Sequence, residues 1–176
     1  MKHIISLGWN CTIKINYNKW CKIRNKNCGK TNFFDYLIIS INGINNFFEN
    51  NINDILNNII DDGIINKKKK IKFKLLDNAT SIHDLPINYS KLYYQKFLDK
   101  YRRRYNRLYE LIKNNNEKIF IRYGSITKDD YEKLNNNIYK INSSCNFKII
   151  SISDDTNKYS IKVNDWDEFF DKLNII

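Results

Sequence analysis

Apolar residues cluster in short runs along the first part of the chain. The segment HIISLG is short, rich in β-branched residues and nearly continuous in apolar character, which is typical of a strand buried in a sheet. The segment from Cys11 to Trp20 has apolar positions that fit either a helix or a strand. Apolar character returns in NFFDYLII, and the Asn-rich segment INGINNFFENNINDILNNII after it predicts short helical pieces.

A lysine-rich segment in the middle of the chain predicts a β-hairpin. Lys70, Lys72 and Lys74 alternate with apolar residues, as expected for a half-buried strand with a basic outer face. Asp77 and Asn78 supply a two-residue turn, and ATSIH returns as the partner strand. The lysines are interpreted either as a solvated edge that discourages aggregation or as a nucleic-acid site.

Helical and strand patterns alternate in the second half of the chain. A helix is predicted from Ser90 to Lys113, because Ser90 suits an N-cap and apolar residues recur at three- and four-residue spacing. The strand KIFIRYG, a helix capped by Thr127, the strands FKIISISD and KYSIKV, and the helix DWDEFFDKL follow. This order predicts a single α/β domain over residues 1–176, with three layers (α/β/α), a largely parallel sheet and an inserted β-hairpin.

The chain is strongly basic, with a net charge of +11. A positive excess indicates anionic partners such as nucleic acid, phosphate groups or an anionic membrane surface. Asn and Ile are overused together with Lys, which is typical of AT-rich coding, for example in a large DNA virus. This coding bias explains the lysines as well as a function does, so both interpretations stay open.

The sequence contains no signal for export, membrane insertion or a cofactor. The first apolar run is broken by Gly8 and is too short for a signal peptide, and no apolar stretch is long enough to span a bilayer. The four cysteines form no CxxC and no His pair stands at zinc-ligand spacing, so no metal is expected. Neither GxxxxGK[ST] nor GxGxxG occurs. We therefore expect an intracellular, cytoplasmic protein with reduced cysteines and no cofactor.

Cys11 is the candidate nucleophile, because it follows the first predicted strand at the sheet edge where sites collect in α/β proteins. A helix beginning near Cys11 would favour its thiolate through its free N–H groups and dipole, lowering the thiol pKa. The same N–H groups, with the amide of Asn10, would form an oxyanion hole. The alternative is a buried structural thiol.

His83 is the candidate general base, at the end of the second hairpin strand. Its neighbour Asp84 is poorly placed to orient it, since adjacent strand residues point to opposite faces. Asp35, inside an apolar run, either orients His83 or caps the helix that follows. Which acid completes the site stays open. If Asp35 orients His83, Asp35→Asn is expected to raise the pKa of Cys11.

Arginines are the candidate substrate-binding residues. On a helix Arg103 and Arg107 share a face, and Arg104 lies about 100° from Arg103 toward the apolar stripe. Their planar forks suit a carboxylate or phosphate, although a solvated face or internal ion pairs would use them too. Arg122 ends the strand KIFIR, at the same sheet edge as Cys11 if the strands are parallel. Arg122 is therefore expected to bind substrate.

Five sequence blocks resemble, in order, those of a family described as papain-like cysteine peptidases. The blocks here are ISLGWNC, NFFDY, SIHDLP, KYRRRYNRL and KIFIRYG, against S-L-G-x-x-C, P-F-D-W, H-D-F, R-R-x-x-R-F and L-F-V-R. The resemblance extends from Ile4 to Arg122. The departures are apolar replacements at Phe33, Tyr36, Leu85 and Leu108.

The resemblance implies a cysteine peptidase or a related thiol hydrolase that acts on an acyl, amide or ester bond. The positions it marks are Cys11, Asp35, His83, Asp84, Arg103, Arg104, Arg107 and Arg122. The alternative hypothesis is a non-catalytic module that binds anions or nucleic acid through the lysine hairpin and the arginine-rich helix. The sequence leaves the substrate, be it peptide, another acyl compound or an anion, and the oligomeric state open.

Overall fold

A four-stranded parallel sheet and a three-stranded antiparallel sheet organise this α/β chain. The computed structural model describes residues 2–8, 11–153 and 160–173. The strands are β1 (Lys2–Ser6), β2 (Ile59–Ile65), β3 (Lys68–Phe73), β4 (Ala79–Pro86), β5 (Glu117–Tyr123), β6 (Phe147–Ile152) and β7 (Ser160–Ile161). The helices are α1 (Thr12–Ile23), α2 (Ile41–Glu49), α3 (Ile52–Asn57), α4 (Lys91–Lys113), α5 (Lys128–Ile141) and α6 (Trp166–Lys172).

The parallel sheet has the strand order β1-β5-β6-β7 and carries helices on both faces. Side chains alternate along β5, so Ile119 and Ile121 pack in one cluster with α1 and α6. Phe120 between them packs in a second cluster with α4 and α5. The second cluster also contains Phe73 of the antiparallel sheet. The three-layer α/β arrangement predicted from the sequence is thus confirmed.

The inserted hairpin is confirmed at its turn and extended by a strand that the sequence did not reveal. β3 pairs antiparallel with β4, and the turn residues Asp77 and Asn78 both have positive φ, at 52° and 56°. β2 adds an edge strand beside β3. The sequence pattern predicts short helical pieces as far as residue 60, whereas the helical region ends at Asn57 and β2 begins at Ile59. An edge strand needs no alternation, since both of its faces are partly solvated.

Helix α1 resolves the ambiguous segment that follows the first strand. Ile13, Tyr17, Trp20 and Cys21 recur at three- and four-residue spacing and are all buried. They pack against β5 and against Phe170 of α6. This packing fixes the helix where periodicity alone left two possibilities.

The two helix N-caps predicted from the sequence, Ser90 and Thr127, both form. The hydroxyl of Ser90 accepts from the N–H of Tyr93 at the start of α4. Thr127 and Asp130 form a reciprocal capping box at α5. Within the described ranges, no helix combines the length and apolar character needed to cross a bilayer.

Candidate functional site

The structure brings Cys11 and His83 together. The sulfur of Cys11 lies 3.7 Å from Nε2 of His83, although the two residues are 72 positions apart in the chain. Cys11 occupies the N-cap of α1, and His83 is an exposed residue of β4. A thiol and an imidazole at this distance make the kind of contact that a nucleophile and its general base require.

Cys11 lies between the end of β1 and the start of α1, at one edge of the sheet. The N–H of Leu7 donates to the carbonyl of Ile121, which extends the parallel pairing to the strand end. Gly8 then has a φ of +75°, and a Cβ there would lie 2.3 Å from Cγ2 of Ile39. Only glycine fits this position. The predicted oxyanion residue Asn10 lies outside the described residues.

An irregularity in β4 presents His83 to solvent. Ser81 pairs with Ile71 and Leu85 pairs with Lys69, so residues 82–84 face the single residue Lys70. Such a bulge bends the strand and changes the direction of its side chains, and bulges often occur beside active sites. His83 lies within the bulge.

Asp84 is held by α4. Its buried carboxylate accepts hydrogen bonds from Ser81, from Lys100 and, at 2.6 Å, from the hydroxyl of Tyr101. Burial raises the pKa of Asp84, but the bonds from Lys100, Ser81 and Tyr101 outweigh burial and hold the pKa below its usual value. Asp84 therefore ties β4 to α4 through these three hydrogen bonds, none of which involves His83.

Asp35 is the second carboxylate near the pair. It is 1% exposed, accepts the N–H of Asn32 at 2.9 Å and lies 3.9 Å from Nζ of Lys14. Burial raises its pKa to about 6, although Lys14, the Asn32 N–H, Arg104 and Arg107 all act to lower it. Within the described part of the chain, neither Asp35 nor Asp84 hydrogen-bonds to His83, so the predicted orienting contact is not formed.

The electrostatic surroundings of Cys11 differ from the expectation. Burial raises the pKa of the Cys11 thiol, and the carboxylates of Asp35 and Asp84 raise it further. The position of Cys11 at a helix N-terminus predicts a lowered pKa, and the structure gives the opposite direction. Two acids near the sulfur oppose the thiolate, so Cys11 rests as a thiol near neutral pH.

Tyr36 lies near Cys11 and Asp35, and the sequence pattern does not mark it as a site residue. It has a φ of 68°, which is rare for an aromatic residue and occurs preferentially at functional sites. Burial raises its pKa, and the nearby groups of Asp35 and Cys11 add to this effect, while Arg104 opposes it. No local pattern marks such a position, since Tyr is not a residue of left-handed turns. The charges of Cys11 and Arg104 thus both act on Tyr36.

The three candidate arginines of α4, which are Arg103, Arg104 and Arg107, lie in different environments. Arg103 is exposed, and its carbonyl accepts from Nε of Arg107, which is half-buried. Arg104 is 6% exposed, and its guanidinium lies 5.3 Å from the ring centre of Tyr101. Arg104 thus faces the apolar stripe, as its angular position on the helix predicts. Nη1 of Arg104 is buried and has no hydrogen-bond partner in the described ranges.

Arg122 is enclosed by protein rather than presented to a substrate. It is 3% exposed, and Nη1 donates to the carbonyl of Ile39 at 3.3 Å. Burial lowers its pKa to about 10, while Asp130 acts to raise it. Alternation places Arg122 on the Phe120 face of β5, whereas α1 packs on the other face. In this structure Arg122 supports the segment before α2.

The lysine-rich hairpin is largely paired with acids of β2. Lys69 lies 2.6 Å from Asp61, and Lys70 and Lys72 lie 2.6 and 3.1 Å from Asp62. These contacts offset much of the positive charge that would attract nucleic acid to the hairpin. Binding of nucleic acid here stays a prediction.

A second concave region lies towards the other end of α1. A cavity of about 610 Å³ lies between the start of β1, α1, the segment after it and the C-terminal half of α4. Trp20, Leu111 and Arg107 line it. Among the described residues, no cluster of His, Cys, Asp or Glu side chains is arranged to hold a metal ion.

Comparisons with protein-family models, with curated proteins and with solved structures found no match for this chain. The resemblance to papain-like cysteine peptidases therefore rests on the five sequence blocks. Any function has to be argued from the geometry around Cys11 and His83.

Proposed function

We propose that this chain is a cysteine-dependent hydrolase that cleaves an acyl, amide or ester bond. Cys11 is the nucleophile and His83 is the general base. The observation that carries the proposal is the 3.7 Å contact between the Cys11 sulfur and Nε2 of His83. The resemblance of the surrounding blocks to papain-like cysteine peptidases agrees with this assignment.

The proposed reaction begins when Nε2 of His83 takes the thiol proton while the sulfur of Cys11 attacks the carbonyl carbon. The carbonyl oxygen gains a negative charge, which backbone N–H groups of the first turn of α1 and the positive end of the helix dipole stabilise. The C–N or C–O bond then breaks, and the leaving group takes the proton from His83. A water molecule, deprotonated by His83, hydrolyses the thioester, which releases the acid and restores the thiol.

The raised pKa of Cys11 fits general-base catalysis better than a preformed ion pair. A thiol that keeps its proton at rest is a weak nucleophile, so its reaction depends on removal of the proton during the attack. His83 is the titratable base placed for this step. Its removal should consequently affect the reaction rate more than substrate binding.

The test is acylation by p-nitrophenyl acetate, with release of nitrophenol and the position of the acetyl group followed together. The acetyl group is expected on Cys11. His83→Ala should slow this acylation by about 10²- to 10⁴-fold, the usual contribution of a general base. His3→Ala is the matched control, because His3 contacts Asn116 beside the start of β1, away from Cys11.

Two results would contradict the proposal. The first is equal acylation of Cys11 in the wild type and in His83→Ala. The second is faster acylation of the half-buried Cys28 than of Cys11 in the native wild type, since the Cys28 thiol donates to the carbonyls of Tyr17 and Asn18 and no described hydrogen bond joins it to a histidine.

A further inference from the structure

The cavity at the far end of α1 has the size and walls of a small-molecule site. Its volume of about 610 Å³ falls within the range of roughly 300–1,000 Å³ that is typical of ligand pockets. Tyr17, Trp20, Ile4 and Leu111 provide apolar lining. The rings of Tyr17 and Trp20 are stacked, with centroids 6.0 Å apart, so they form one continuous aromatic wall.

The charged residues around this cavity are mainly cations. Lys2, Lys26, Lys30 and Arg107 line it, and Glu110 is the one carboxylate among the described lining residues. Glu110 lies on the exposed side of α4. The balance favours an anion over a cation or a neutral ligand.

A buried excess of positive charge lies directly beside the cavity. Lys14 is 7% exposed and Arg104 is 6% exposed, yet Asp35 is the carboxylate near both of them. Nη1 of Arg104 has no hydrogen-bond partner among the described residues. Burying cations in excess of anions is costly, and an additional anion would offset that cost.

Two residues connect this buried charge to the cavity wall. Asn32, whose N–H and side chain both bond to Asp35, lines the cavity. Arg107, whose charge acts on Asp35 and Arg104, also lines it. Arg107 uses Nε on the carbonyl of Arg103, and within the described part of the chain its two terminal nitrogens make no hydrogen bond. They are free to bind the two oxygens of a carboxylate.

We propose that this cavity binds an amphipathic monocarboxylate, such as a medium-length fatty acid. The carboxylate lies on the terminal nitrogens of Arg107, close to the buried charge of Arg104. The alkyl chain lies along Tyr17, Trp20 and Leu111. The site is separate from Cys11 and does not depend on the hydrolase assignment.

The first test is calorimetric titration of the full chain with dodecanoate, dodecyl phosphate and dodecyltrimethylammonium below their micelle concentrations. Dodecanoate should bind saturably at one site, and the cation of equal chain length should not. Arg107→Gln should weaken dodecanoate binding by about 10- to 100-fold, the loss expected for hydrogen bonds to a charged group. Arg102→Gln is the matched control, since Arg102 is ion-paired with Asp99 on another face of α4.

Three results would overturn the proposal. Absence of saturable dodecanoate binding would show that the cavity is not a binding site for this ligand. An equal loss of dodecanoate affinity in Arg102→Gln and Arg107→Gln would show that Arg107 does not bind the carboxylate. Tighter binding of dodecyl phosphate than of dodecanoate shows that the head group is a phosphate and not a carboxylate.

Cysteine labelling provides a second measurement that does not rely on variants. Cys28 lines the cavity, whereas Cys11 does not. Dodecanoate should slow alkylation of Cys28 and leave alkylation of Cys11 unchanged. Protection of Cys11 alone would place the ligand at the proposed active site and would contradict the cavity assignment, independently of whether acylation of Cys11 depends on His83.

Discussion

At the scale of single residues, the surroundings of Cys11 are set by groups from three segments, which are β4, the start of α1 and the loop that carries Asp35. Nε2 of His83 lies 3.7 Å from the sulfur, and Cys11 is the N-cap of α1, where the helix dipole is positive. Burial and the carboxylates of Asp35 and Asp84 act in the opposite direction and raise the pKa of the thiol. The sulfur is thus accessible and paired, but not ionised in advance. The pKa of the Cys11 thiol therefore depends on the two carboxylates and not on the histidine alone.

Asp35→Asn is expected to lower the pKa of Cys11, because it removes the negative charge that raises it most. The measurement is the pH dependence of Cys11 alkylation by iodoacetamide, followed by peptide mapping. Asp84→Asn is the matched comparison. It should lower the pKa by less, since Asp84 is the smaller of the two charge effects.

The sign of the shift decides between two roles for Asp35. If Asp35 oriented His83, its replacement would raise the pKa of Cys11, as the sequence alone suggested. A raised pKa in Asp35→Asn, with a circular dichroism spectrum like that of the wild type, would therefore rule out the arrangement described here.

At the scale of secondary-structure elements, the site depends on how strand ends meet helix starts. β1 is followed by Gly8, whose backbone lies close to Leu37 and Ile39 in the segment that leads to α2. β4 carries the bulge that contains His83, and Asp84 ties this bulge to Lys100 and Tyr101 of α4. Each connection fixes one of the two members of the pair. Small shifts of these elements should change the distance between sulfur and imidazole.

Gly8→Ala is expected to destabilise the fold more than Gly29→Ala does. Both glycines have positive φ, at 75° and 66°, so both alanines carry a backbone cost of about 1–2 kcal/mol. At Gly29 a Cβ meets nothing within 4 Å, whereas at Gly8 it would lie 2.3 Å from the Ile39 side chain. Overpacking adds about 1–3 kcal/mol. Urea unfolding of both variants gives the difference.

The same pair of variants tests the link from element to site. Gly8→Ala should also slow acylation of Cys11, because the backbone at Gly8, three residues before Cys11, has to move away from Ile39. Gly29→Ala should leave acylation unchanged. Equal losses of stability in the two variants would mean that the approach of Gly8 to Ile39 has no energetic consequence.

At the scale of the whole molecule, charge is distributed unevenly between surface and interior. The net charge is +11, but lysines of the hairpin are balanced locally by Asp61 and Asp62. The interior holds Asp35 among Lys14, Arg104 and Arg107, and this cluster is where burial affects ionisation strongly. The global stability should therefore respond to the titration of Asp35.

Stability is expected to fall as the pH rises from about 4 to about 7, through the contribution of Asp35. Its pKa is raised from 3.8 to about 6, so the folded state binds the proton more tightly than the unfolded chain does. This contribution is complete below the unfolded pKa and is lost as the pH rises through the folded pKa, with an upper limit of about 3 kcal/mol. Urea unfolding of the wild type and of Asp35→Asn at both pH values measures it.

The comparison with Asp35→Asn isolates this effect from other groups. His3, whose pKa is lowered mainly by burial, changes stability in the opposite direction, but it is present in both proteins. The free energy of unfolding should fall with pH more in the wild type than in the variant. An equal pH dependence in the two proteins would show that Asp35 titrates normally.

The sequence by itself determined the class of fold and several of its local features. The caps at Ser90 and Thr127 and the turn at Asp77 and Asn78 were predictable, because their hydrogen bonds and backbone angles depend on residues a few positions apart. The alternation of strands and helices gave the three-layer arrangement. The pattern could not place β2, since an edge strand exposed on both sides leaves no periodic signal.

Cys11 and His83 were recognisable as residue types in suitable positions, but only the tertiary structure decided which groups meet. Asp84 binds Lys100 and Tyr101 instead of the histidine, and Arg122 is enclosed beneath Ile39. The cavity is built from segments that are far apart in the chain. Distances between remote residues, and the burial that sets a pKa, follow from packing of the whole chain. No local pattern encodes them.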